Sequence, residues 1–199
     1  VARYDEKHKQ ATRARILETA GRRLKDDGID GSGVTALMRD AGLTNGAFYA
    51  HFDSKDDLVE AVVSSELAAQ RDRFAQLPPG RDGVEELVRR YLSAEHRDAP
   101  AEGCPSAALL DEIVRSPEAT RRTYTEGLLA IVDDMEARLS EDGTSSPSRA
   151  RSLGVYALMI GTLQLARAVT DPALADEVVE TGLRNALTLL EAGRGEETR

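Results

Sequence analysis

Residues 34–58, VTALMRDAGLTNGAFYAHFDSKDDL, decide how the rest of the chain is read. The chain has five tyrosines, three phenylalanines and no tryptophan, yet Phe48, Tyr49 and Phe52 crowd into this one stretch. On a helix Phe48 and Phe52 share a face at i, i+4, whereas Tyr49 is turned about 100° away and His51 lies off the buried stripe. Two rings directed inward, with a phenol and an imidazole directed outward, describe a short helix that docks on a core and shows its other side to a partner. Ahead of it, Val34, Leu37, Met38 and Ala41 recur at i, i+3, i+4, i+7 behind Ser32, a candidate N-cap. Ala41-Gly42-Leu43 then reads as a tight turn, and Thr44 as the cap of the next helix.

The same periodicity extends in both directions. Upstream, Ile16, Leu17, Ala20 and Leu24 form the stripe of a helix over 8–27, and Gly28 is placed to stop it. Downstream, Ser54 is a candidate cap, and proline at a first helical position marks further starts at Pro105, Pro117, Pro147 and Pro172. Long helices are expected over 55–76, 81–97, 117–141, 147–169 and 172–191, with loops at 77–80 and 142–146. No run of alternating β-branched residues suggests a strand. The expectation is an all-α protein of about nine helices, with three in a head of residues 1–54 and about six in a body of residues 55–199.

Composition narrows the class. A chain of 199 residues that is 41% apolar can bury a core, and a lone cysteine forms no internal disulfide and suits a reducing compartment. The stretch VARYDEKHKQATRAR lacks the apolar segment of a secretory signal, and no apolar run approaches the roughly 20 residues of a membrane span. A cytoplasmic protein with no membrane partner is expected. The net charge of −9 is unevenly placed. Residues 1–55 hold ten Lys or Arg against eight Asp or Glu; the remainder holds sixteen against twenty-seven. An acidic body carries a mildly basic head.

Two helices joined by a glycine turn make a helix-turn-helix, whose second helix enters the DNA major groove with its first exposed residues on base edges. Those residues are Asn45, Gly46 and Ala47. Asn pairs with adenine; Gly and Ala permit close approach or touch a thymine methyl. Tyr49 and His51 are placed to donate to phosphates. Lys55, at a helix N-terminus where a cation is otherwise unfavourable, also suits a site that expects an anion. Arg3, Lys7 and Lys9 could extend the contact into a groove.

Residues 34–58 closely resemble the signature of the TetR family of transcriptional repressors, through Ala41-Gly42-Leu43-Thr44 and then Phe48-Tyr49-x-His51-Phe52-x-Ser54-Lys55-x-x-Leu58. Ala36 and Met38 depart from it, where many members carry an acidic and a small residue. The resemblance implies a homodimeric repressor on a palindromic operator in double-stranded DNA, released by a small-molecule effector and needing no cofactor. It places Thr44, Tyr49, His51 and Lys55 on phosphates and Asn45, Gly46 and Ala47 on bases. It also implies a dimer interface of two helices per subunit, here 147–169 and 172–191. Their stripes include Tyr156, Ile160, Leu163, Val179, Leu183 and Leu187. A sensor site is expected among the middle helices, where Tyr91, His96, Tyr124, Met135, Tyr156, Met159 and Gln164 carry polar or polarisable atoms.

Cys104 precedes Pro105 and so occupies a helix N-cap, where the dipole favours the thiolate. The Gly-Cys-Pro segment resembles a branch of the family in which a cysteine opens the sixth helix. Two alternatives to an effector-released repressor therefore stand: a thiol-based sensor of oxidants or electrophiles using Cys104, and a helical adaptor without operator function. Catalysis is not expected. The three histidines are far apart in sequence, none has metal-ligand spacing, and no glycine-rich phosphate loop or nucleophile elbow is present.

Overall fold

A computed structural model describes residues 2–140 and 149–192, with side chains from Lys7 onward. The expected helix start at Pro147, the loop at 142–146 and Arg3 lie outside the described residues or side chains.

All regular structure among the described residues is helical. The head comprises α1 (Ala2–Asp27), α2 (Val34–Asp40) and α3 (Asn45–Phe48), and α4 (Lys55–Ala75) leads into the body. α1 starts well before the expected residue 8, because nothing in the preceding sequence is a helix breaker. It ends at Gly28, whose φ of +81° only glycine adopts without strain. Ser32 is not the cap of α2: it is fully buried, and Gly33 takes the cap position, its carbonyl accepting from the N–H groups of Ala36 and Leu37. The turn after α2 depends on Gly42 at φ +66°. Thr44 does occupy the N-cap of α3, though without a side-chain hydrogen bond. Ser54 caps α4 reciprocally: Ser54 Oγ accepts from Asp57 N at 3.1 Å, while the Asp57 carboxylate accepts from Asp53 N at 3.0 Å.

The body continues with α5 (Gly80–Tyr91), α6 (Ala94–Asp98), a 3-10 turn (Pro100–Glu102), α7 (Pro105–Ile113), α8 (Glu118–Ser140), α9 (Arg149–Ala168) and α10 (Pro172–Glu191). The single helix expected over 81–97 is thus two. Leu92 leaves helical geometry at ψ 69°, and Ser93 Oγ restarts the chain by accepting from His96 N. Pro172 opens α10 behind Asp171, whose carboxylate accepts from Ala173 N at 3.0 Å.

α9 packs on α10 and α4 on α8; α5 lies against α8 and α10, and α7 against α9. α1 reaches past the head to touch α4, α7 and the 3-10 turn. Head and body therefore share one continuous hydrophobic core that runs from Ile16 and Phe48 through Leu67 to Leu163 and Leu190. No helix among the described residues is long and apolar enough to cross a membrane.

Of the residues expected at a dimer interface, Tyr156, Ile160, Leu163 and Val179 are buried in this core within one chain, while Leu183 and Leu187 are half-buried. Both helices carry two apolar faces, and periodicity alone does not say which one turns inward. The face left open holds Leu153, Leu165 and Leu174, which are 37%, 55% and 43% exposed.

Candidate nucleic-acid interface and sensor pocket

The head presents the outward face that its sequence suggested. Phe48 and Phe52 are buried with ring centroids 5.8 Å apart, while Tyr49 is 72% exposed and meets the edge of Phe48 at 5.1 Å. Thr44, Asn45 and Gly46 are exposed and Ala47 is half-buried. Asn45 Nδ2 donates to Thr35 Oγ1 at 2.9 Å, which fixes the amide at the start of α3. A Cβ added at Gly46 would meet only Thr44 Oγ1, at 3.8 Å, so nothing inside the chain requires glycine there. An external surface that approaches the backbone closely would require it.

His51 is half-buried, and its Nδ1 is buried without a hydrogen-bond partner. Burial, followed by the positive charges of Lys9 and Arg13, holds its pKa below the ordinary histidine value. The Arg13 guanidinium lies 4.8 Å above the Phe52 ring. Three basic side chains thus gather where the phosphate backbone was expected. Arg13 was missed in the sequence, although its i, i+4 spacing from Lys9 on α1 was available. Lys55, expected on a phosphate, donates to the Ile29 carbonyl at 2.5 Å. It pins the loop before α2, and an ammonium keeps two further donors.

A second site is formed where α4, α5, α6 and the start of α7 meet. Cys104 caps α7, its sulfur accepting from Ser106 N at 3.3 Å, as its place before Pro105 suggested. The thiol donates to Gln70 Oε1 at 3.0 Å. Cys104 N donates to His96 Nε2 at 3.0 Å, and His96 Nδ1 lies 2.8 Å from the Tyr91 carbonyl. The two bonds define the tautomer: Nδ1 carries the proton and Nε2 the lone pair. Gly103 makes room for the ring, since a Cβ there would stand 2.6 Å from Nε2. A cavity of about 190 Å³ opens beside this cluster. Gln70, Phe74, Leu87, Tyr91, His96 and Cys104 line it, with Arg73 and Arg90 exposed at its edge.

Of the expected sensor residues, the structure brings Tyr91, His96 and Cys104 into this cavity. Tyr124 and Tyr156 stand one layer behind, joined through Ser106 Oγ at 3.1 and 3.2 Å. Met135 and Met159 are fully buried in the core, and Gln164 is half-buried on α9 away from the pocket lining. Burial pushes the hydroxyls of Tyr91 and Tyr156 well above their ordinary pKa and raises that of Tyr124, so all three are neutral donors. In sequence Cys104 has no lysine beside it and acidic neighbours at Asp98 and Glu102. In space Lys25 Nζ donates to the carbonyl of Gly103 at 3.0 Å.

His96 gives this pocket a pH response. Burial chiefly, then Arg167, Arg73 and Lys25, lower its pKa below 6.5, against the opposing effect of the Tyr91 carbonyl. A depressed folded-state pKa means that the unfolded chain takes up the proton first. The contribution of neutral His96 is therefore complete above about pH 6.5 and is lost as pH falls through the folded value. Unfolding free energy should accordingly decline on acidification below about pH 6.5. The decline should be shallower in His96→Gln, which can accept from Cys104 N without titrating. Denaturant titrations at several pH values measure this, and parallel profiles for the two proteins would refute it.

The route between the two sites is short. α7 carries Cys104 at its N-cap and Glu112 near its other end. The Glu112 carboxylate accepts from Ile29 N and Asp30 N at 3.0 and 3.1 Å. Ile29 is thereby held by the body on its N–H and by Lys55 on its carbonyl, directly ahead of the helix-turn-helix.

Comparison with known proteins agrees with this arrangement. Residues 16–62 match the family described as bacterial regulatory proteins, tetR family. The transcriptional regulator TtgR of Pseudomonas putida is 33% identical over 94 residues, which are 46% of this chain and 44% of that protein. The transcriptional repressor NemR of Escherichia coli is 24% identical over 126 residues, 61% and 63% of the two chains. The match spans about half the length of curated relatives such as TtgR and the E. coli regulator UidR. The solved reduced form of E. coli NemR has the same fold, with a TM-score of 0.77 at 22% identity over 89% of this chain and 96% of that one. A TetR-family regulator from Agrobacterium tumefaciens gives 0.73 at 21% identity, over 89% and 98%. Among the described residues no group of His, Cys, Asp and Glu is gathered that could hold a metal ion. Residues 16–62 thus match the model of the tetR family of bacterial regulatory proteins, and the described chain as a whole has the fold of the solved TetR-family structures.

Proposed function

We propose that this protein is a homodimeric regulator that binds a palindromic operator through Thr44, Asn45, Gly46, Ala47, Tyr49 and His51, and that Cys104 is its sensor. The observation that carries the sensor role is the placement of α7, with a thiol-lined cavity at one end and the clamp on the head at the other. Modification of Cys104 removes its bond to Gln70 Oε1 and adds bulk at the α7 cap. The displaced helix shifts Glu112, and through Ile29 the attitude of the helix-turn-helix. With a conjugated carbonyl compound the sulfur lone pair forms the S–C bond, and the thiol proton ends on the adjacent carbon. A solved structure with the same fold is described as a reduced form, a redox distinction made for that protein. The head acts as one unit over residues 1–54, the remainder as the sensing and dimerisation unit. The open face with Leu153, Leu165 and Leu174 is the surface that meets the second subunit, since two heads on a palindrome double the contacts of one.

The test begins with selection of a random duplex pool on the purified protein. A palindromic winner is expected, and Tyr49→Ala and Gly46→Leu should each lose it while remaining folded. Complete alkylation of Cys104 with acrylamide should then weaken operator binding about 5- to 150-fold, the ordinary range of coupling between sites. Cys104→Ser should retain operator binding and ignore the reagent. Unchanged affinity after complete modification would remove Cys104 from the mechanism.

A further inference from the structure

The cavity beside Cys104 carries more information than the thiol. Two of its lining groups are polar and buried, in residues only 6% and 4% exposed: Gln70 Nε2 has no hydrogen-bond partner, and Tyr91 Oη has only the Cys104 sulfur beside it, outside good hydrogen-bond geometry. Both are donors, so what they lack is an acceptor. The lining carries two guanidinium groups, Arg73 and Arg90, against one carboxylate, Glu102. Arg73 and Arg90 stand at the edge, and the Arg73 side chain makes no ion pair or hydrogen bond with a described residue. Glu102 pairs with Arg22 at 3.5 Å, Glu66 with Lys25 at 2.7 Å and Glu86 with Arg90 at 2.7 Å, which leaves Arg73 as the guanidinium without a carboxylate and Arg90 with donors to share. The remaining wall is apolar, formed by Phe74, Leu77 and Leu87.

We infer that this cavity is a binding site for a small apolar organic anion, a carboxylic acid with one ring or a short branched chain. Its carboxylate lies between Arg73 and Arg90 at the edge, its body on Phe74 and Leu87. An acceptor atom deeper in the molecule takes the donors of Gln70 and Tyr91. The size follows from the volume: cavities on the order of 150 Å³ hold a benzene ring, and this one measures about 190 Å³. Guanidinium forks match a carboxylate in geometry as well as charge. The inference rests on the reading of the body as a sensor, and it names the chemistry that the sensor admits to the neighbourhood of Cys104.

Phenylacetate, benzoate and 4-methylvalerate, each paired with its neutral amide, provide the probes, and calorimetry on the full chain without DNA provides the measurement. At least one acid should bind about tenfold more tightly than its amide. Arg73→Ala with Arg90→Ala should bring the two to equal affinity, and both residues are exposed, so the variant should fold normally. The acid should also slow alkylation of Cys104, the only thiol in the chain, which locates it in this cavity. Amides that bind as tightly as acids, or no binding by any of the three acids at millimolar concentration, would overturn the inference. So would acid binding that the double variant leaves intact. The operator assay above is independent of this measurement: an acid that binds without affecting DNA leaves the site standing, whereas unchanged operator affinity after complete alkylation is what removes the sensor role of Cys104.

Discussion

Replacing Lys25 by alanine is expected to destabilise the protein by about 3–5 kcal/mol, the usual cost of removing one partner of a buried ion pair. Lys25 is 7% exposed, and its ammonium lies 2.7 Å from Glu66 Oε2 and 3.0 Å from the Gly103 carbonyl. Without it the Gly103 carbonyl loses a buried donor, and the Glu66 carboxylate, whose side chain is 17% exposed, loses its counter-charge in a largely desolvated setting. Gly21 adds to the strictness of the site, since a Cβ there would stand 2.4 Å from Glu66 Oε1. Chemical denaturation gives the measurement. The pair Lys25→Met with Glu66→Leu, which removes both charges and keeps the volume, should recover most of the loss. A single variant that costs under about 1 kcal/mol would show the pair to be solvated like a surface salt bridge. Lys25 is also the head's contact with the residue before Cys104, so the same variant should change how the pocket is held.

Phe48→Ala should cost a similar amount, about 3–5 kcal/mol, through lost burial and the cavity left behind. The ring is 1% exposed and packs against Phe52 and, at right angles, Tyr49. The damage should concentrate in the head. α3 is four residues long, far below the length at which a helix stands without tertiary support, so it depends on this ring for its position. Operator binding should fall even where the body stays folded. Amide exchange read by segment distinguishes the cases: residues 34–52 should lose protection while α9 and α10 keep theirs. Uniform loss along the chain would mean that head and body unfold as one unit, which their shared core also permits.

Much of the head was legible because its determinants are local. Gly28, Gly42 and Ser54 act on the backbone within a few residues of themselves, and the i, i+4 spacing of Phe48 and Phe52 fixes which face of α3 is buried. The prolines that open α7 and α10 act for the same reason. Ser32 was misleading because a serine that looks like a cap can equally be buried, and only the packing around it decides. The break after Tyr91 was missed because apolar spacing continues across it; Leu92 stays buried while leaving the helix.

The sequence by itself determined the helical class, the head with its outward Tyr49, and the cysteine at a helix cap. All of these rest on contacts between residues near one another along the chain. Only the tertiary structure decided which face of α9 and α10 is open, because an amphipathic stripe says that something is buried and not against what. It also decided the surroundings of Cys104. Its neighbours Gln70 and Lys25 lie 34 and about 80 residues away, the latter bonded to Gly103 across 78 positions. The clamp of Glu112 on Ile29 spans 83. No local rule links such residues; the burial of a shared core brings them together, and the charge around the thiol follows from that packing.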